Sequence, residues 1–171
     1  MTTADSAKET FRRAVHRALA TTPIDAAELR AIDSLVEDGW REIERGGGDA
    51  AIGETMLASW QSEVGAQSGA ARTKAIELVL VDRRLTRVRA AAYQLGRATI
   101  DRARPKAELV AEVAPIRAEL DALRAAIESV AEPSTRQRLE RERREALLDL
   151  DYVEDEKVLS HRLGQYQGSR P

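Results

Sequence analysis

Gly48 to Thr55 (GDAAIGET) has the glycine spacing and terminal threonine of a phosphate-binding loop. In such a loop backbone N–H groups cradle the phosphates and a lysine neutralises them. Here Glu54 stands in the lysine's place, where its carboxylate repels phosphate, and no strand-like run precedes the loop. The stretch is therefore read as a turn and a helix start. Metal chemistry fares no better. A di-iron helical site needs Glu-x-x-His on paired helices, but Arg13 precedes His16 by three residues and Val158 precedes His161. Asp149, Asp151, Glu154, Asp155 and Glu156 lack the central glycine of a calcium loop. On a helix they spread around the cylinder, solvating it or meeting basic residues. The chain has no cysteine, hence no disulfide and no thiolate ligand. Gly-x-Ser-x-Gly is missing too. The expectation is a chain that is not an enzyme and holds no cofactor or metal.

Two other groups of residues suit recognition. Arg83, Arg87 and Arg97 project from one face of a helical stretch, with Arg84 and Arg89 flanking its apolar seam. Arginines at helical spacing can bind phosphates. With a pI near 5.8, no DNA-binding motif and no interleaved aromatics, pairing with acidic helices is the favoured reading. The second group is an apolar stripe of Leu148, Tyr152, Leu159, Leu163 and Tyr166 at spacings of 4, 7, 4 and 3. It is left over once Leu139, Ala146, Leu150 and Val153 on the same helix have been used in a hairpin. Such a stripe calls for a partner: a second copy, another protein, or the N-terminal part of the same chain. Tyr152 and Glu156 also form a Tyr-x-x-x-acid pattern that resembles the export signal of type VII secretion substrates; their paired Trp-x-Gly hairpin is not visible. No family is recognised.

The elements that position these residues are helical. Counting by 3 and 4 from Leu78 visits Val81, Leu85, Val88, Ala92 and Leu95, passes the polar Thr99, Arg102 and Lys106, which interrupt the seam, and lands on Leu109, Val113, Ile116, Leu120, Leu123, Ile127 and Val130. That period keeps one seam towards a partner helix. Ser6 with Glu9, Asp25 with Glu28, and Ser134 with Gln137 read as capping boxes. Ile24 is placed to staple against Leu29, and Gly46-Gly47-Gly48 stops the second helix. Phe11, Val15, Ala18 and Leu19 stripe the first helix; Leu29, Ile32, Val36, Trp40 and Ile43 the second, with Leu35 on its edge; Ile52, Met56, Leu57, Trp60 and Val64 the third. Ile76 to Val81 is apolar nearly all round, which places it at the centre of the first three helices. Pro105 ends or kinks the fourth helix, and Pro115 is a kink or an exposed first-turn break in the fifth.

Composition agrees. Aromatics are 4% of the residues and charged ones 33%, which fits a folded chain whose apolar surface is helical stripe. The absence of asparagine and the scarcity of lysine point to a high-GC bacterial or phage genome. No run approaches a membrane span and no secretory leader is present, so the expected location is cytoplasmic. The charge is uneven: −5 over residues 1–68, +7 over 69–106 and −4 over 107–171.

The sequence thus predicts an all-α protein in three parts. Residues 1–69 form an N-terminal helical bundle, 70–104 a long basic central helix, and 105–171 a C-terminal antiparallel coiled-coil hairpin with a short tail. Its expected function is non-enzymatic assembly or adaptor work through contacts with itself or another protein, as an oligomer. The alternative from another class is a nucleic-acid-associated regulator using Arg83, Arg87 and Arg97. A third is a membrane-surface protein led by the basic first helix.

Overall fold

Six helices carry the chain: α1 (Thr3–Leu19), α2 (Ala26–Arg45), α3 (Ala50–Val64), α4 (Gly69–Ile100), α5 (Lys106–Glu128) and α6 (Pro133–Glu154). The structure is a computed structural model that describes residues 3–20 and 24–155, and among these there is no strand. Asp25 opens α2, its carboxylate accepting from the N–H groups of Ala27 and Glu28 at 2.8 Å each. Asp49 opens α3 in the same way, accepting from Ala51.

The capping boxes themselves do not form as the sequence reading has them. Ser6 lies inside α1, Glu9 pairs with Arg13, and Glu28 turns into the interior. At α6 the cap is Glu132, whose carboxylate accepts from the N–H groups of Ser134 and Thr135. Hydrogen bonds from the Thr135 and Ser134 hydroxyls, then from their backbone N–H groups, hold the Glu132 carboxyl down at about 2. A depressed carboxyl favours the folded state fully above its ordinary value near 4.5, and that contribution fades as pH falls towards 2. A carbon-13 titration of the Glu132 carboxyl should therefore show a midpoint near 2. Changing both Ser134 and Thr135 to alanine should return it towards 4.5; a wild-type midpoint already near 4.5 would refute this cap.

The chain divides into two units, Met1–Leu80 and Val81–Pro171, with the division inside α4. The first unit's core joins α1, α2, α3 and the start of α4 through Val15, Leu19, Ile32, Leu35, Ile43, Trp60, Val64 and Ile76. Leu35, expected on an edge, is fully buried, while Leu29, expected on the apolar face, is 43% exposed. Ile76 and Val79 are buried, but Leu78 and Leu80 are only half-buried, and Glu77, next to Ile76, is exposed. This segment lies against the core of its unit rather than through the centre. Helix packing on one side leaves the opposite side to solvent, whatever its polarity.

In the second unit Leu85, Val88, Ala92 and Leu95 of α4 are buried, as are Leu109, Val113, Leu120, Leu123 and Ile127 of α5 and Leu139, Ala146, Leu150 and Val153 of α6. Arg117 of α5 meets Asp151 and Glu154 of α6, while Asp121, one turn later, lies by Arg143. Rising numbers on one helix match falling numbers on the other, so α5 and α6 run antiparallel. The two prolines behave differently. Pro105 sits just before α5, and α4 has already ended at Ile100, four residues short of the reach expected for it. There Arg102 takes a left-handed conformation with φ +49°, and Ala103 N–H returns to the Ala98 carbonyl. That is a helix-ending turn in which glycine is the usual occupant. Pro115 stays inside a continuous α5. It is on the exposed side, where water can satisfy the carbonyl it strands.

Candidate interaction surfaces

The arginines of α4 are largely consumed within the chain. Arg84 reaches Glu119 of α5 at 2.8 Å, and Arg89 reaches Glu145 of α6 at 3.1 Å and Glu142 at 3.7 Å. In the other direction Arg138 of α6 meets Asp82 of α4 at 2.7 Å. Hydrogen bonds to Asp82 and Glu142 hold the Arg138 guanidinium above its ordinary range, the Asp82 bond contributing most. Arg117 is raised in the same way, chiefly by Asp151. The three arginines singled out from sequence separate: Arg83 and Arg87 are half-buried and neither is free. Arg97 is exposed and pairs with Asp101 one turn on, at 2.8 Å. Asp151 and Glu154 of the acidic run meet Arg117 of α5.

The pairs Asp82–Arg138, Arg89–Glu145 and Gly96–Asp149 set α4 and α6 parallel in this unit, at an offset of 53–56 residues. Gly96 makes the last approach: a Cβ there would lie 3.2 Å from the Asp149 carbonyl oxygen. In this register Tyr93 falls level with Leu148. Both are exposed, at 54% and 48%, as are Ile100 at 42% and Val110 at 38%. Of the apolar stripe expected on α6, Leu148 is thus open to solvent whereas Tyr152 is buried, at 7%. Leu159, Leu163 and Tyr166 lie outside the described residues.

Sequence reasoning missed Tyr93, Ile100 and Val110, although each falls off the 3-and-4 count of the seam and so was marked for another surface. The phosphate-loop look-alike holds no cradle. Gly53 is buried in α3, where a Cβ would meet Ile43 and Phe11, and the Thr55 hydroxyl donates to the Ala51 carbonyl. His16 lies 3.1 Å from Asp33, which also accepts from Arg12; His161 is outside the described residues. Among the described residues no group of three or more His, Asp or Glu side chains is arranged to hold a metal ion. Nor is any helix among them long and apolar enough to cross a membrane.

No family model, no curated protein and no solved structure matches the chain.

Proposed function

We propose that this chain is a non-enzymatic helical assembly or adaptor protein that works through protein–protein contacts and forms an oligomer. Its first unit is read as a helical bundle on the start of α4. The second is read as an antiparallel coiled-coil hairpin of α5 and α6, braced by the rest of α4. The observation that carries this is the set of large apolar side chains left in water on the second unit: Tyr93 level with Leu148, together with Ile100 and Val110. Single exposed apolar residues are ordinary, but a tyrosine and a leucine exposed at the same level of α4 and α6 offer the start of a contact patch. The fate of the α4 arginines also supports protein contact over nucleic-acid binding. Arg84, Arg89 and Arg97 are already neutralised by carboxylates of their own chain, so a phosphate backbone would first have to displace those partners.

Light scattering on a concentration series tests the reading. Wild type should be an oligomer, and Tyr93→Glu with Leu148→Glu should give a monomer of unchanged helical circular dichroism, since both side chains are outside the core. Removing a few buried large side chains from an interface costs several kcal/mol, at about 1.5–3 kcal/mol each. That is enough to move a micromolar complex out of reach. A wild-type monomer throughout the series, or an oligomer indifferent to both changes, would sink self-assembly through this patch.

A further inference from the structure

An open cavity of about 1260 Å³ lies between the end of α5 and the first turns of α6. Its wall carries Arg124 of α5 and Arg136, Arg138, Arg141, Arg143 and Arg144 of α6. The carboxylates in the same wall are two, Glu128 and Glu140, so the lining has an excess of four positive charges on a chain of net charge −2. Gathering like charges in a concavity focuses a positive potential there.

The internal pairing leaves much of that charge available. Arg124 donates Nε to Glu128 at 2.8 Å, and Arg143 and Arg144 share Glu140 at 3.1 and 3.2 Å. Arg138 is turned aside to Asp82 and Glu142. Arg136 and Arg141 have no ion-pair partner among the described residues, and both are exposed. Arg124 and Arg144 make these contacts through Nε, and their side chains are 65% and 73% exposed. Arg143 differs from its neighbours in being 7% exposed, pinned by Glu140 and by Asp121. It gives the cavity a fixed charged wall behind the mobile-length side chains of the rim.

We propose that this cavity binds a compact anion carrying two or more phosphoryl groups. The charge to be met is dense: a phosphoryl group brings roughly −1.5 to −2 charges and three acceptor oxygens. With Arg138 spent on Asp82 and Glu142, five arginines face two carboxylates in the lining, and about two phosphoryl groups match that excess where three separate carboxylates would be required. Guanidinium groups present paired donors that fit such oxygens two at a time. A long nucleic-acid strand fits less well. It must continue past the cavity, where Glu132 before α6 and Glu142 and Glu145 on it flank these arginines. The α6 N-terminus offers no second anion site, because the Glu132 carboxylate already accepts from its leading N–H groups. The inference does not rest on the assembly reading and can fail or stand without it.

Titration calorimetry of the full chain with inorganic triphosphate, metal-free and at physiological salt, is the test. Expected are saturable binding to wild type and clearly weaker binding of orthophosphate. Arg136→Gln with Arg141→Gln should lose about tenfold or more in affinity with circular dichroism unchanged, as both side chains are exposed and neither has an ion-pair partner among the described residues. Arg97→Gln, on a different helix, should bind as wild type does. Absence of saturable triphosphate binding overturns the proposal, and so does equal affinity in the double variant. A single-stranded oligonucleotide that binds more tightly than triphosphate and displaces it would replace the compact ligand by nucleic acid.

Discussion

Replacing Arg72 by methionine is expected to destabilise the first unit by about 3–5 kcal/mol, the usual result of removing one partner of a buried ion pair. Arg72, in the first turn of α4, and Glu28, in the first turn of α2, are each 1% exposed, and their charges approach to 2.8 Å. The same Arg72 Nη1 donates at 2.6 Å to the carbonyl of Leu19, the last residue of α1. One guanidinium thus occupies an otherwise unmet carbonyl at a helix end and neutralises a carboxylate near a helix start. The pairing is incomplete: Glu28 Oε1 and Arg72 Nε have no hydrogen-bond partner. Glu28 Oε1 is at ion-pair distance but off the hydrogen-bond direction, so the desolvation of the two charges is only partly offset.

That imbalance makes the double variant informative. With Arg72→Met alone, a bare carboxylate is left in the core. With Glu28→Leu added, no charge remains, and much of the lost stability should return. Both tryptophans, Trp40 and Trp60, belong to the first unit, so urea unfolding followed by tryptophan fluorescence reads this unit directly. A single variant that loses less than about 1 kcal/mol, or a double variant no better than the single, would show that the pair is solvated after all.

Glu28 also shows where sequence reading stops. Its spacing from Asp25 is that of a capping box, a local pattern whose partner is the adjacent backbone. Its actual partner, Arg72, is 44 positions along the chain, and nothing in the local pattern points there. Helix existence and type were legible because glycine stops, aspartate caps and the 3-and-4 seam are local and repeat. All-α class follows from them. Most of the seam's burial was legible for the same reason, though Leu78, Val81, Ile116 and Val130 are only half-buried. Whether a proline interrupts a helix was not. Pro105 and Pro115 look alike in sequence, and the difference lies in the turn Arg102 makes before Pro105 and in the exposed side of α5 on which Pro115 falls. The cavity arginines were hidden by averaging. Residues 107–171 sum to −4, yet five arginines fall between positions 136 and 144. A charge count in windows of two or three helical turns would have found them.

The other large effect is expected at the aromatic cluster of the first unit. Phe11 of α1 lies between Trp40 of α2 and Trp60 of α3, with ring centroids 6.4 and 6.2 Å away in tilted arrangements. Tilted pairs at these separations attract through their quadrupoles as well as by burial. Two helix-interior glycines make the space. A Cβ on Gly39 would stand 2.6 Å from Trp60 Cη2 and 3.0 Å from Phe11 Cζ, and one on Gly53 would stand 3.3 Å from Phe11 Cδ2. Glycine inside a helix sacrifices up to about 1 kcal/mol of propensity relative to alanine, so its presence at position 39 answers to the indole rather than to the helix. Trp60 is 2% exposed, and Trp60→Ala should cost about 3–5 kcal/mol. Gly39→Ala in the wild-type background should cost about 1–3 kcal/mol, as overpacking does. In the Trp60→Ala background the obstructing Cη2 is gone, and Gly39→Ala should become neutral or stabilising by up to about 1 kcal/mol. Urea unfolding followed by circular dichroism, on wild type, both single variants and the double, measures that reversal of sign. If Gly39→Ala costs the same in both backgrounds, the glycine is not there to seat Trp60, and the close contact must be made with Phe11 or relieved by a shift of α2.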